Sequence, residues 1–230
     1  MTEEELVRQY PRLWHMAHQG AWPAIRERGL MSVGALLEDY AVKGEKRKRY
    51  GRIRRPESVP LSHPHRKGAV IRDQKPMSDG ALEKCLEDGL TPTDWYCLLN
   101  SYTFFWLSRE RIWRLLRARA YRDQLQTVLT LDARALVATH RDRIRLSPIN
   151  SGSTLFKPQP RGHKTFKTVH DFPFEDRART RRAENNVVEL LVEHSVPDVS
   201  DHLLAVHEVM NDKIVNEVWR APHANDDDKP

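Results

Sequence analysis

Long apolar runs, cysteine clusters and glycine-rich loops are all missing from this 230-residue chain. No stretch approaches about 18 consecutive apolar residues, so a membrane span is excluded. Cysteine occurs twice, at Cys85 and Cys97, both in helix-like segments and without metal-type pairing. The opening Met1-Thr-Glu-Glu-Glu is acidic and offers no signal-peptide apolar region. A cytoplasmic, reducing location is the expectation. No G-x-G-x-x-G, no phosphate loop and no nucleophile elbow occurs, which argues against a Rossmann site, a P-loop and Ser-His-Asp hydrolysis. His63-Pro64-His65 lacks a third ligand at a convincing spacing, so no metal is expected. No internal repeat is visible.

What the chain does carry is charge. Charged residues make up 30% and apolar ones 39%, with a net charge of +6 and a pI near 9.4. Such a chain can bury a real core, and it favours an anionic partner. The densest basic run is Lys43 to Arg55, holding Lys46, Arg47, Lys48, Arg49, Arg52, Arg54 and Arg55. Two readings stand: a solvated, mobile loop, or an arm whose cations contact the phosphates of nucleic acid. With Pro56, Pro60, His63-Pro64-His65 and Gly68 following, residues 43–68 read as a long irregular insertion.

Around that insertion the pattern alternates helices and strands. A short helix spans 3–10, and Leu13 to Met16 has strand alternation. Ala21 to Arg28 is a helix with Pro23 in its first turn and Gly29 as C-cap. Ser32 caps a helix over Val33 to Tyr40, Ser78 one over Gly80 to Leu86, and Ser108 one reaching Ala120. Between them lie an extended piece at Ala69 to Gln74, a helix from Trp95 to Asn100 and an aromatic strand from Tyr102 to Leu107. Thr127 to Asp132 and Ile144 to Leu146 are strands flanking a helix at Ala133 to Thr139, and Val187 to Val192 is the last clear strand. Val199 to Val206 reads as a strand or edge, and 208–219 is open. The chain is thus α+β, one domain over 1–220, with a disordered tail at 221–230.

Two polar residues stand out. Glu189 interrupts the apolar run Val187 to Val192, where a carboxylate without a partner costs several kcal/mol or titrates. The bland reading is an edge strand with Glu189 in solvent. His15 sits in Leu13-Trp14-His15-Met16, where a satisfied core histidine is the bland reading.

The set Leu13-Trp14-His15-Met16, Ile25-Arg-Glu-Arg-Gly29-Leu30, Phe104-Phe105-Trp106 and Val188-Glu189 resembles the His–aromatic–Glu class of ADP-ribosyltransferases, and within it the DarT-type enzymes that modify DNA bases. Asn100-Ser101, Arg117-Ala-Arg119, Asn150-Ser-Gly152, Arg161-Gly162 and Val187-Val-Glu189 further resemble an uncharacterised bacterial family over roughly residues 8–206. The likeness implies a split mixed β-sheet core with flanking helices, and NAD as substrate without a metal. By the same likeness His15 holds the adenosine-side ribose and Phe105 stacks on nicotinamide, with Phe104 and Tyr102 as alternatives. Glu189 stabilises the sugar cation, and Arg72 is the arginine between the histidine and aromatic motifs, with Arg54 and Arg55 as alternatives. Asn150 and Ser151 shape an acceptor loop, bind ribose or simply form a turn. Position 187 is valine where protein-arginine-modifying relatives carry an acidic or glutamine residue, which favours a DNA or RNA base as acceptor. A toxin or phage-defence role with an antitoxin partner is compatible with this likeness. Two alternatives are a non-catalytic nucleic-acid-binding or interaction protein, and an NAD hydrolase.

Overall fold

A computed structural model describes residues 1–230, the side chain of Glu184 excepted. The first part of the chain holds α1 (Glu3–Gln9), β1 (Arg12–His18), α2 (Trp22–Arg28), β2 (Leu30–Met31), α3 (Val33–Asp39), α4 (Gly44–Arg52), β3 (Val59–His63), β4 (Arg66–Ile71), α5 (Asp79–Leu82), α6 (Pro92–Leu99), β5 (Tyr102–Trp106) and α7 (Arg109–Leu116). The rest holds β6 (Gln126–Asp132), α8 (Ala133–His140), β7 (Ile144–Ser147), α9 (Phe174–Ala178), α10 (Ala183–Asn186), β8 (Glu189–Glu193), β9 (Ser195–Val196), α11 (Val199–His202), β10 (Leu203–Met210) and β11 (Lys213–Arg220). The architecture is α+β. Seven strands form one sheet in the order β11-β10-β6-β1-β5-β8-β7. Every ladder in it is antiparallel, which corrects the mixed sheet expected from the family likeness.

Helix starts follow the capping rules. Thr2 and Thr91 form reciprocal boxes with Glu5 and Asp94, while Ser32, Ser78, Ser108 and Asp132 each accept a first-turn N–H. One sheet face carries Leu13, Phe105, Leu129, Leu131, Leu190 and Val192 into the main core beside Leu136 of α8. The other carries Trp14 and Val128 under Ile112 and Leu116 of α7. Each such buried aliphatic side chain stabilises the fold by about 2 kcal/mol.

The sheet is parted in its middle. The β1–β6 ladder runs the length of both strands, from Arg12–Asp132 to His18–Gln126. Between β1 and β5 only Trp14 and Trp106 are in register. That row continues from Trp106 to Glu189 and from Glu189 to Ser147. Directly opposed residues share a face, so Trp14, Trp106, Glu189 and Ser147 lie on one side of the sheet. His15, one residue along β1, leaves the other side.

Several expectations are corrected. Residues 43–68 are not an irregular insertion. The basic run forms α4, where Glu45 and the Lys and Arg residues favour a helix and Gly44 and Gly51 do not. It is fixed by Asn100 Nδ2 donating to Gly51 O at 2.8 Å and by Leu37 packed at Gly51. Val59 and Leu61 then pair with Ile71 and Ala69 in the β3–β4 hairpin, which seals Leu37, Tyr40, Leu61 and Ile71 together. Val199 to His202 is helical, and the strand begins at Leu203. The open stretch 208–219 is half of a hairpin, turned at Asn211 and Asp212 with φ of 49° and 62°. Those two residue types are the ones that tolerate left-handed turns. The helices capped by Ser78 and Ser108 stop early, at Leu82 and Leu116. The last ten residues are docked rather than loose: Asp228 is buried against Arg12, and Arg109 donates to Lys229 O at 3.0 Å.

Candidate active site

A cavity of about 330 Å³ opens where the sheet parts. Its wall includes His15 to His18 of β1, Tyr102 to Trp106 of β5, Arg72, Asn150, Gly152 and Glu189. His15 and Glu189 leave opposite faces of the sheet, yet both line this one space. The parting beyond the Trp14–Trp106 pair is what allows it.

His15 reaches across the gap, with Nδ1 lying 2.8 Å from Phe104 O. A carbonyl only accepts, so Nδ1 carries the proton and Nε2 is left as an acceptor. Burial holds the imidazole down to about 4, Arg72 pushing the same way against the Phe104 hydrogen bond. The ring is therefore neutral at physiological pH. A neutral ring with a fixed tautomer suits a hydroxyl donor such as a ribose oxygen.

Glu189 is 4% exposed. The Ser151 N–H points at both of its oxygens, at 3.2 and 3.1 Å. Burial pushes the carboxyl up to about 7, against the lowering pull of the Ser151 hydroxyl and amide, Arg111 and the Ser147 hydroxyl. A carboxylate so placed stands ready to meet a cation formed in the cavity. Water screens it little, so its Coulomb interaction there is strong.

Arg72 lines the same cavity, its guanidinium bonded to Gln126 and stacked 5.0 Å from the Tyr121 ring. Phe104, Tyr102 and Trp106 are half-buried there. Phe105, the ring expected to stack, also borders the cavity but is 1% exposed within the core, 5.8 Å from the His15 ring. Strand alternation sends Phe105 inward and puts Phe104 and Tyr102 on the other side of β5.

A family model described as "Family of unknown function (DUF7002)" matches residues 11–203. The chain belongs to the DUF7002 family. The matched span runs from just before β1 to the start of β10 and so contains every strand lining the cavity. Among curated proteins none matches the chain.

In this DUF7002 member the remaining expected residues separate by burial. Asn150 is exposed at the cavity wall. Ser151 is fully buried, and its amide serves Glu189 rather than a ligand. Of the basic run, Lys46, Lys48, Arg49 and Arg52 are exposed on α4, while Arg47 pairs with Glu38 at 3.0 Å. Arg54 is half-buried and donates to Lys75 O at 3.2 Å. Arg55 is no phosphate contact: it is 5% exposed and spends its guanidinium on Asn100 Oδ1 at 3.0 Å, Arg72 O at 3.1 Å and Tyr50 O at 2.5 Å. It ties α4 to the cavity wall.

The structure gives places to residues that the sequence analysis left without a role. Trp106 joins the cavity wall. Arg161 is 2% exposed behind the Ser151 loop. Phe156 is 97% exposed with φ of 53°, followed by Lys157 with φ of 62°. His140, Asp198 and His202 bring three metal-type ligand atoms within 4.8 Å of one another. Their bonding is that of a clamp. Arg143 Nη2 lies 2.6 Å from His140 Nδ1, so Nε2 carries the proton and donates to Asp198 at 2.9 Å. His202 holds the other carboxylate oxygen at 3.1 Å. No helix is long and apolar enough to cross a membrane among the described residues.

Proposed function

We propose that this protein is an NAD-dependent ADP-ribosyltransferase whose acceptor is a nucleic-acid base. The observation that carries the reading is the meeting of His15 and Glu189 around one cavity at the parting of the sheet. In the reaction the bond between nicotinamide nitrogen and ribose C1′ breaks, and its electron pair leaves with neutral nicotinamide. The ribose becomes an oxocarbenium-like cation. Ionised Glu189 stabilises that cation more than the ground state, which lowers the barrier. A nucleophilic atom of the acceptor then bonds to C1′ and gives up its proton to water. His15 Nε2 accepts from a ribose hydroxyl, Phe104 or Tyr102 supplies a ring face to nicotinamide, and Arg72 supplies the cation for the pyrophosphate.

A polyanionic acceptor is supported by the loop that holds Ser151. From Ser147 to His170 there is no acidic residue, while Lys157, Lys164 and Lys167 are present. The exposed Phe156 ring lies in the same loop. The exposed cations of α4 support a second reading, a nucleic-acid-binding module without turnover.

The test incubates the protein with NAD and single- or double-stranded DNA or RNA, and follows nicotinamide release and acceptor mass. The transferase reading expects an ADP-ribosyl adduct from wild type and none from Glu189→Gln. Salt-sensitive nucleic-acid binding with no NAD binding by calorimetry selects the second reading. Nicotinamide release without an adduct selects NAD hydrolysis.

A further inference from the structure

Arg161 is a buried cation that makes no hydrogen bond to a carboxylate among the described residues. Its Nη1 donates to Ser151 O at 3.1 Å and Ser153 O at 3.0 Å, and its Nε to Gln159 O at 3.0 Å. Trp95 lies beneath the guanidinium at 5.8 Å, and its Nε1 donates to the same Ser151 O at 3.3 Å. The Arg161 backbone is itself fixed, its N–H donating to Cys85 O at 2.9 Å and its carbonyl accepting from Glu87 N–H at 2.9 Å. Taking a guanidinium out of water costs several kcal/mol, and carbonyl oxygens repay it only in part. A cost of that size at a loop calls for something the loop must do. The loop it grips is the one that turns the Ser151 N–H onto both oxygens of Glu189.

We propose that Arg161 is the positioning residue of Glu189: by gripping the carbonyls of Ser151 and Ser153 it aims the Ser151 N–H at the carboxylate. The inference rests on Glu189 being the working carboxylate of the cavity. Two cations act on that carboxylate, Arg161 from the loop and Arg111 from α7, and the Ser147 and Ser151 hydroxyls flank it. Arg161 touches no reacting atom. It acts through a hydrogen bond that strengthens as Glu189 loses its proton.

The test is the titration of Glu189, followed by carbon NMR of side-chain-labelled glutamate with Glu189→Gln identifying the signal. In wild type the Ser151 amide proton is expected to titrate together with the Glu189 carboxyl; a Ser151 amide that ignores that titration overturns the proposal, and this measurement needs no variant. Arg161→Gln removes the cation and the fork, and Arg161→Lys keeps the charge with one donor. Both are expected to move the Glu189 midpoint upward, the glutamine variant by about one pH unit and the lysine variant by less. A folded variant of either kind whose Glu189 titrates as wild type overturns the proposal. The alkaline shift also appears in the pH profile of nicotinamide release, whereas a merely structural role lowers the rate equally at every pH. Failure of the transferase reading is distinguished because it leaves the titrations shifted and the nicotinamide signal absent.

Discussion

Replacing Glu189 with glutamine takes a charge out of a place that resists it. An ordinary glutamate titrates at 4.5, and burial pushes this one up to about 7. The folded protein then keeps a proton that the unfolded chain gives up. Stability contributed by this group is present below 4.5 and is lost as pH rises through 7. At about 1.4 kcal/mol per pH unit the full shift amounts to about 3 kcal/mol, most of which develops between pH 5 and pH 8. Glutamine keeps the shape and one acceptor for the Ser151 N–H, and its own cost, about 1 kcal/mol, does not vary with pH. Urea unfolding of both proteins at pH 5, 6, 7 and 8 reads the difference, and other titrating groups cancel in it. Glu189→Gln is expected to be no more stable than wild type at pH 5 and clearly more stable at pH 8. A gap that stays constant to within about 0.5 kcal/mol refutes the reasoning, since Arg111, Arg161 and Ser151 would then hold the carboxylate ionised throughout. The same ionisation makes wild-type nicotinamide release rise with pH through about 7 and level off above it.

Four further outcomes follow from the geometry. His15→Ala removes the ribose acceptor and the link to Phe104, and NAD affinity measured by calorimetry is expected to fall about tenfold, the worth of one good hydrogen bond. Because the His15 ring is neutral above about 4, NAD binding by wild type shows no His15 titration from pH 6 to 9. Changing Lys46, Lys48, Arg49 and Arg52 together to serine flattens the salt dependence of nucleic-acid binding by about 0.7–0.9 in log–log slope for each phosphate left without its cation, and an unchanged slope removes α4 from the interface. Gly29→Ala is expected to lower unfolding stability by about 2 kcal/mol or more, the cost of a strained backbone plus a clash. Gly29 has φ of 82°, and a Cβ there would sit 2.3 Å from Val196 O.

Most strands that line the cavity were legible because each carries its own periodicity. Of the strands lining it, β1, β5 and β8 were placed from alternation or apolar runs and β4 as an extended piece, whereas the two-residue β2 was not, and the odd polar residue in β1 and β8 marked His15 and Glu189. What failed were features whose cause lies elsewhere in the chain. The basic run is held as a helix in part by Asn100, far along the chain, which donates to Gly51 O. Phe105 and Phe104 are chemically equal, and only the register of β5 between β1 and β8 decides which ring enters the core. Arg161, in a Pro-Arg-Gly stretch among turn residues, has no local mark of burial at all. Its role comes from the bridge to Cys85 and Glu87 and from the loop it grips. A sequence can display a carboxylate in an apolar strand, but whether that carboxylate is a proton-bearing acid or an anion depends on donors from two other segments. The ionisation of Glu189 is therefore a property of the assembled fold, and it is the property on which the chemistry turns.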